Sequence, residues 1–365
     1  MLKPLTSTRF FAAFFVFLSH LAFFQEYDYL ERIFVRFFYE GYIGVTFFFV
    51  LSGFILTYNY HGQFSSLNKE KLANFYLARI ARIYPVHILT FIIAIPLLLK
   101  VVLENSFLGI ISGLINISLL QSFVPLKEVY FSINAVSWSL SNEMFFYILL
   151  PFMLFIITKF KTNLTSLLVL VAVIWAISAI AVLTFRDISL NHWLFYIFPF
   201  FRIGDFVIGV LLALIFLKSP KKLLGNSFLS SILEFSSILS LIIAIYFSPY
   251  IHQSLRYGIY YIPVMCFIIY VFAFQGGVIS RLLSNRLFLF LGEISFSFYM
   301  IHLLVITYSL HLPFVPKSPI ALACFAFFVS LIGSTVIHLY FEVPLRSKIR
   351  NLSRFKGSAK KSITQ

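Results

Sequence analysis

Two ionisable side chains interrupt the first apolar segment of this 365-residue chain. Arg9 and His20 are eleven residues apart, so a helix would place both on one face, about 16 Å apart along its axis. Ionisable groups inside a membrane span are costly and usually mark a pathway or a reaction site. The pair predicts a fixed cation at Arg9 and, at His20, an imidazole suited to take and return a proton near neutral pH.

A carboxylate, Glu143, ends the motif Trp-Ser-Leu-Ser-Asn-Glu at the start of another apolar segment. An indole such as that of Trp138 is common where a helix enters a membrane, whereas a carboxylate inside the span is not. We predict that Glu143 is a second acid–base group or orients a histidine. His20, Glu143 and Arg9 form the predicted catalytic set, and Trp138 and Ser141 are predicted substrate contacts.

Two further arginines, Arg79 and Arg82, precede Tyr84-Pro85 and are three residues apart. On a helix they share a face, and two adjacent guanidinium groups can grip a phosphate or pyrophosphate bidentately. The alternative interpretation is that they only mark the cytoplasmic side, where basic residues collect. The residue types predict a binding site for a phosphorylated donor.

A late apolar segment carries the motif Ile-Ser-Phe-Ser-Phe-Tyr-Met-Ile-His, in which Tyr299 and His302 share a helical face. We predict that both contact substrate. Arg202 and Asp205, also three residues apart within an apolar segment, are instead predicted to form an internal ion pair.

The elements that position these residues must lie in a lipid bilayer. The sequence is 61% hydrophobic and 11% charged, against about 25% charged residues in soluble domains. Repeated apolar runs of about 20 residues match the thickness of the hydrocarbon core. The fold class is therefore predicted to be an all-α, polytopic membrane bundle without alternating β-barrel strands.

The net charge of +15 does not predict nucleic-acid binding, because the basic residues flank apolar spans as topology signals do. Cys266 and Cys324 lie singly in apolar runs, which predicts neither a disulfide framework nor a metal site. The N-terminal segment lacks a small-residue cleavage site, so it is expected to be a retained span and not a signal peptide.

Ten spans are predicted, at roughly 5–25, 41–60, 84–103, 140–158, 166–184, 194–217, 229–248, 257–274, 289–309 and 319–341. Residues 107–123 are apolar but short and contain glycine, asparagine and glutamine, which favours a re-entrant or interfacial segment. With both termini cytoplasmic, 19 basic residues lie inside and 7 outside, as the positive-inside rule requires. Residues 1–345 are the predicted membrane domain and 346–365 a basic cytoplasmic tail near anionic lipid.

In order and over nearly the whole chain, these motifs resemble the acyltransferase-3 family of integral membrane acyltransferases. The resemblance is carried by Arg9 and His20, the second span ending in Leu-Ser-Gly-Phe54, Arg79 and Arg82, the stretch from Trp138 to Glu143, Arg202 to Gly209, Ile294 to His302, and Glu342 with Pro344. Each motif alone is weak, whereas the ordered set is specific.

The resemblance implies a metal-free O-acetyltransferase of the cell inner membrane. It implies acetyl-CoA as cytoplasmic acyl donor, held here by Arg79 and Arg82, and an exported carbohydrate as acceptor. Lipopolysaccharide O-antigen is the first choice of acceptor; exopolysaccharide, capsule, peptidoglycan and lipid-linked sugars stay open. Relatives often carry an extracytoplasmic hydrolase-like domain, which this chain is expected to lack. It is therefore expected to complete the transfer itself, to hand the acyl group to a separate transferase, or to act as a homo-oligomer.

Two other classes of function fit part of the pattern. Intramembrane charges and a re-entrant segment would suit a proton-coupled transporter or flippase, although no inverted repeat is visible. A non-catalytic membrane interaction protein would leave Arg79, Arg82 and His20 without a role. Thiol release from acetyl-CoA by the purified protein separates the enzyme from both alternatives.

Overall fold

Helices make up every regular element that the computed structural model shows. It describes residues 2–160, 162–220, 227–313, 315 and 318–350, and within these ranges every regular element is an α-, π- or 3-10 helix. The all-α prediction is therefore confirmed. Of the predicted tail, residues 346–350 continue the last helix and residues 351–365 lie outside the described ranges, as do Lys161, Lys221, Lys222 and Lys317.

Nine helical stretches in the described chain are long and apolar enough to cross a membrane. They are Lys3–Glu26, Asp28–Tyr60, Lys69–Ile93, Ala135–Lys159, Leu164–Phe185, Trp193–Lys218, Ser227–Tyr250, Arg286–Ser309 and Pro319–Arg350. The span predicted at 257–274 contains the shorter helix Ile262–Ala273. Its twelve residues rise about 18 Å, less than the hydrocarbon thickness, because the chain around Gln253–Arg256 packs as a separate turn before Pro263.

The α-helices are labelled in chain order: α1 Lys3–Ser19, α2 Gly44–Tyr60, α3 Lys69–Ile93, α4 Ile95–Glu104, α5 Ser106–Ile117, α6 Trp138–Lys159, α7 Leu164–Phe185, α8 Pro199–Lys218, α9 Ser227–Phe247, α10 Ile262–Ala273, α11 Arg286–Ser309 and α12 Pro319–Ile337. A π-helical turn, His338–Glu342, follows α12.

The third predicted span is wrong in its bounds. Helix α3 begins at Lys69, where the Asn68 side chain accepts a hydrogen bond from the Glu70 backbone amide at 2.7 Å, an N-cap. It ends before Ala94, and Pro96 lies in the first turn of the next helix, a position at which proline is well tolerated. Arg79 and Arg82 therefore lie within a membrane helix and not before it.

The segment predicted to be re-entrant forms a short helix, α5, paired with α4. Its twelve residues are too few to span the hydrocarbon core. Asn116 near its end is fully buried; its amide donates to the Ser132 carbonyl oxygen at 3.1 Å and to Ser137 Oγ at 3.2 Å. The polar residues thus bind protein groups, which is how irregular backbone is tolerated at membrane depth.

Lipid-facing surface is clearest on α7. Of its 22 residues only Leu167 and Val182 are buried, while Leu168, Val169 and Ile177 are exposed. A soluble helix would present polar groups on such a face. The apolar exterior confirms a bundle solvated by lipid.

Helix α1 is held on both sides by glycine contacts. A Cβ on Gly44 would lie 2.4 Å from the Ala12 carbonyl oxygen, and one on Gly292 would lie 2.1 Å from the Thr6 carbonyl oxygen. Small residues let membrane helices approach backbone to backbone. Since Thr6 packs on Gly292 and His20 on His302, α1 and α11 run parallel.

We call the end of the bundle with Lys3 and Gln275, whose backbone amide and side chain bond at 3.2 Å, the inner end. The opposite end, at which α1 and α11 finish, is the outer end. Predicted topology places the inner end in the cytoplasm. The internal ion pair is confirmed on α8, where Arg202 Nη2 lies 2.7 Å from Asp205 Oδ2 and both residues are buried.

Candidate active site

A small internal cavity of about 50 Å³ brings together two of the predicted catalytic residues. Its polar lining residues are Arg9, Arg82, Ser139, Glu143, Tyr147, Ser295 and Tyr299. They come from four helices, α1, α3, α6 and α11. Arg9 and Glu143, 134 positions apart in sequence, therefore face one chamber.

Glu143 lies among arginines. Its carboxylate interacts electrostatically with Arg9, Arg82 and Arg79, and it hydrogen-bonds Tyr147 one helical turn further along α6. One role predicted for Glu143 is to orient a histidine. In the described structure His20 hydrogen-bonds His302 and not Glu143. The carboxylate instead offsets part of the positive charge that Arg9 and Arg82 bring into the cavity.

Arg82 is anchored by a residue 260 positions away. Its Nη1 forms an ion pair with Oε1 of Glu342, which is fully buried in the π-helical turn after α12. The other carboxylate oxygen accepts from Ser297 Oγ at 2.9 Å and lies 3.0 Å from His338 Nδ1. Buried charge persists when it is paired and hydrogen-bonded, so Arg82 is a fixed wall of the cavity, whereas Arg79 lines a different space.

Arg79, one turn closer to the inner end of α3, opens onto a much larger space. This cleft has a volume of about 960 Å³. Its charged lining residues are Glu70, Lys71, Arg79, Arg346 and Arg350. The Arg79 guanidinium carbon lies 5.7 Å from the ring centres of Phe75 and Tyr147, which holds the side chain by cation–π contacts, while its buried Nε has no hydrogen-bond partner in the described structure.

His20, at the C-terminal end of α1, pairs with His302 of α11. Nε2 of His302 lies 3.1 Å from Nδ1 of His20. His302 Nδ1 is 2.7 Å from the Tyr299 carbonyl oxygen, which can only accept, so Nδ1 carries the hydrogen and Nε2 accepts. His20 Nδ1, also 2.8 Å from the Val16 carbonyl oxygen, then carries its own hydrogen. The hydrogen-bond network thus assigns the free lone pair of His20 to Nε2.

Tyr299 joins the cavity to the histidine pair. Its hydroxyl is 2.8 Å from Ser139 Oγ and donates to the Val136 carbonyl oxygen at 3.1 Å. Its backbone carbonyl accepts from His302, and its ring lies 5.8 Å from the His302 ring, centre to centre. Of the predicted substrate contacts, Tyr299 therefore lines the cavity, whereas His302 lies within hydrogen-bond distance of His20.

The other two predicted substrate contacts lie in the core. Trp138 is 4% exposed and packs on Tyr196 with ring centres 4.8 Å apart. Ser141 is 1% exposed, and its Oγ has no hydrogen-bond partner in the described structure. Ser139 of the same motif reaches the cavity instead.

Sequence patterns identify most residues of the candidate site but few of the residues with which they interact. Tyr147 was signalled by its position four residues after Glu143 on one helix face. The partnership of Arg82 with Glu342, and of His20 with His302, had no local signal. Among the described residues, no group of three or more His, Cys, Asp or Glu side chains could hold a metal ion.

The described structure thus places buried cations, a carboxylate and a histidine with a free lone pair inside a lipid-facing helical bundle, side chains that are able to do acid–base chemistry. The chain belongs to the acyltransferase-3 family, whose acyltransferase domain matches residues 5–339. It is therefore an acyltransferase, as the sequence motifs predict.

Curated relatives agree with this assignment. The chain is 27% identical over 370 aligned residues to Acyltransferase MdmB of Streptomyces mycarofaciens, covering 94% of this chain and 91% of that protein. It is 25% identical over 334 aligned residues to a Staphylococcus aureus (strain COL) protein provisionally named an O-acetyltransferase, covering 84% of this chain. The chain spans about half, 53%, of the length of that staphylococcal protein. No solved structure matches the chain.

Proposed function

We propose that this membrane acyltransferase moves an acetyl group from cytoplasmic acetyl-CoA to a hydroxyl of a bacterial surface polysaccharide, with lipopolysaccharide O-antigen as first acceptor and the inner membrane as location. The observation that carries the proposal is the order of three features along the bundle. The basic cleft lies at the inner end, the cationic cavity follows, and the His20–His302 pair lies toward the outer end.

The cleft suits the donor in size and charge. Its 960 Å³ lies at the upper end of the range for small-molecule sites, about 300–1,000 Å³. CoA is polyanionic, and among the described lining residues the cleft presents Lys71, Arg79 and Arg346 against one acidic side chain, Glu70. Guanidinium groups grip phosphates through paired hydrogen bonds, and Arg79 lines this cleft.

The cavity suits the reacting thioester. When a hydroxyl attacks a thioester, negative charge develops on the carbonyl oxygen, and fixed positive groups in a water-poor site stabilise it. Arg82 is fixed by Glu342, and Arg9 faces Glu143 across the same cavity. Arg9 therefore keeps the role predicted from sequence, and Arg82 moves from donor phosphate to reacting centre.

His20 supplies the proton transfer. Its Nε2 removes the proton from the acceptor hydroxyl as the oxygen attacks the thioester carbon; the C–S bond then breaks, and the proton passes to the departing CoA thiolate. The products are the acetyl ester and CoA thiol, and His20 returns to its starting state. His302 accepts from His20 Nδ1 and so stabilises the imidazolium formed during the step.

In the second form of the mechanism, His20 Nε2 itself attacks the thioester carbon and the C–S bond breaks to release CoA thiolate. The acceptor hydroxyl then attacks the acetyl group on His20, and its proton passes to the thiolate, which regenerates the neutral imidazole. Incubation of purified protein with labelled acetyl-CoA and no acceptor, followed by mass spectrometry, separates the two. An acetyl adduct on His20 supports the carrier form. Its absence together with retained transfer to acceptor supports the general base.

The function is tested by comparing surface glycans with and without the gene. Mass spectrometry of O-antigen, capsule and exopolysaccharide should show one fraction that loses an acetyl group when the gene is deleted, and purified protein should release thiol from acetyl-CoA. Loss of acetyl from a fraction other than O-antigen changes the acceptor. Glycan translocation without thiol release would instead indicate a transporter.

A further inference from the structure

We propose that a pocket at the outer ends of α1 and α11 binds the acceptor as a single neutral, hydroxyl-bearing unit such as one sugar residue. The pocket has a volume of about 240 Å³. Its lining includes Phe23, Glu26, Tyr27, Ser309, Leu310 and Leu312. The inference rests on the proposed transfer to a hydroxyl and adds the place where that hydroxyl is held.

The pocket lies next to the proposed base along both helices that carry the histidine pair. Phe23 follows His20 by three residues, in the turn Ala22–Glu26 after α1. Ser309 is the last residue of α11 and follows His302 by seven residues, about 10 Å along a helix. On α11, Tyr299 lines the cavity on the inner side of His302, so donor space and pocket flank the pair from opposite sides.

Its lining suits a carbohydrate unit. Aliphatic side chains, prolines and the rings of Phe23 and Tyr27 form apolar walls, and a few polar groups within such walls fix a ligand's orientation. The Glu26 carboxylate accepts hydrogen bonds only, whereas the Ser309 and Tyr27 hydroxyls both donate and accept. A sugar ring offers the matching apolar C–H face and hydroxyl edge.

Charge separates this pocket from the donor cleft. Glu26 is the pocket's charged group among the described lining residues and forms no ion pair within the described chain. The inner cleft carries several cations. The inner cleft therefore attracts an anionic acyl-CoA, and the outer pocket repels it. A neutral acceptor is not repelled by Glu26 and can enter the outer pocket.

Size limits the ligand to one unit. The 240 Å³ pocket is smaller than the roughly 300–1,000 Å³ of sites for drug-sized ligands. A polysaccharide would insert one residue and leave the rest of the chain outside. The pocket therefore selects the acetylated residue and its hydroxyl, independently of polymer length.

The experiment uses inverted membrane vesicles from the native host, with the chain expressed at equal levels and radiolabelled acetyl-CoA added outside. Incorporation of label into endogenous glycan is the readout. Glu26→Gln, which keeps the shape and removes the charge, should slow incorporation about tenfold, the effect of a lost charged hydrogen bond. Leu312→Trp, which fills the pocket, should abolish incorporation. Acetyl-CoA binding to both purified variants should be unchanged.

Asp28→Asn and Leu190→Trp are the matched controls, because both residues are exposed at the outer end and neither lines the pocket. Each should incorporate label at the wild-type rate. Wild-type rates for both Glu26→Gln and Leu312→Trp would overturn the pocket assignment and leave the acetyltransferase proposal intact. Absence of label in wild-type vesicles would instead overturn the proposed function.

Discussion

Nε2 of His302 lies 3.1 Å from Nδ1 of His20, across the contact between two parallel helices. The pair leaves one ring nitrogen of His20 with a free lone pair, as the carbonyl oxygens of Val16 and Tyr299 require.

Replacement of His20 by alanine should lower acetyl transfer at least about a hundredfold, the contribution of a positioned general base. The protein should still insert, because the side chain lies at a helix end. Initial rates of label transfer at equal protein levels measure the effect. His252→Ala, at an exposed outer histidine, should keep the wild-type rate; a near-normal rate for His20→Ala would remove the residue from catalysis.

His302 is predicted to act through His20. His302→Leu removes the acceptor for His20 Nδ1–H and should lower kcat about tenfold, whereas His302→Gln, which offers an amide oxygen, should recover part of the loss. The KM for acetyl-CoA should stay constant in both. Equal kcat losses in the two variants would show that the ring only fills space.

Substitutions of the two arginines of α3 should change different kinetic constants. Arg79→Ala should raise the KM for acetyl-CoA about tenfold or more, since it removes a charge-assisted contact to phosphate. Arg82→Ala should mainly lower kcat, because Arg82 lines the reaction cavity. Arg281→Ala, an exposed arginine at the inner end, serves as control. A raised KM with unchanged kcat for Arg82→Ala would return it to the donor site.

We expect Glu342 to stabilise the fold through its ion pair with Arg82. Removing one partner of a buried ion pair costs about 3–5 kcal/mol, so Glu342→Gln should lower the thermal unfolding midpoint in detergent. The double variant with Arg82→Gln should recover part of the loss, because the Arg82 charge is removed together with its partner. Glu293→Gln, on an exposed site of α11, should leave the midpoint unchanged. Additive losses in the double variant would contradict the pairing.

The close contact of α1 with Gly292 can be tested by comparing an alanine substitution at Gly292 with one at Gly204, where there is room for a Cβ. Gly292→Ala places a Cβ 2.1 Å from the Thr6 carbonyl oxygen and should displace α1, with loss of folded protein and of activity. Gly204→Ala places its Cβ 3.6 Å from Ser178 Oγ, an ordinary contact, and should stabilise α8 by about 0.5–1 kcal/mol. Size-exclusion profiles in detergent compare the two; a normal profile for Gly292→Ala would show that the helices can part.

Much of the architecture follows from local patterns. Apolar runs near 20 residues locate most spans, and Arg202 and Asp205 pair because both lie on one helix, three positions apart. The short helix α10 and the early start of α3 depend on Pro263 and on the Asn68 cap, which hydropathy alone does not weigh. Spans are thus predictable from composition, whereas their ends depend on single residues.

The chemistry follows less directly. Arg9, His20 and Glu143 stand out because charge inside an apolar run is costly, but their partners come from distant helices. Glu342 is 260 positions from Arg82 and His302 is 282 from His20, distances that no helical period encodes. Trp138 and Ser141 belong to a motif that faces the core with one side and the cavity with the other, so Ser139, Leu140 and Glu143 line the cavity while Trp138 and Ser141 are buried away from it.

The close backbone contacts around α1 also bear on the permeability of the membrane. The helices touch at Gly44 and Gly292, and the cavity between the two ends has only about 50 Å³, room for a few water molecules. A carrier that rocks open would hydrate this region on every cycle. In the proposed reaction only an acetyl group crosses, so we expect the protein to work in a membrane that holds an ion gradient without discharging it.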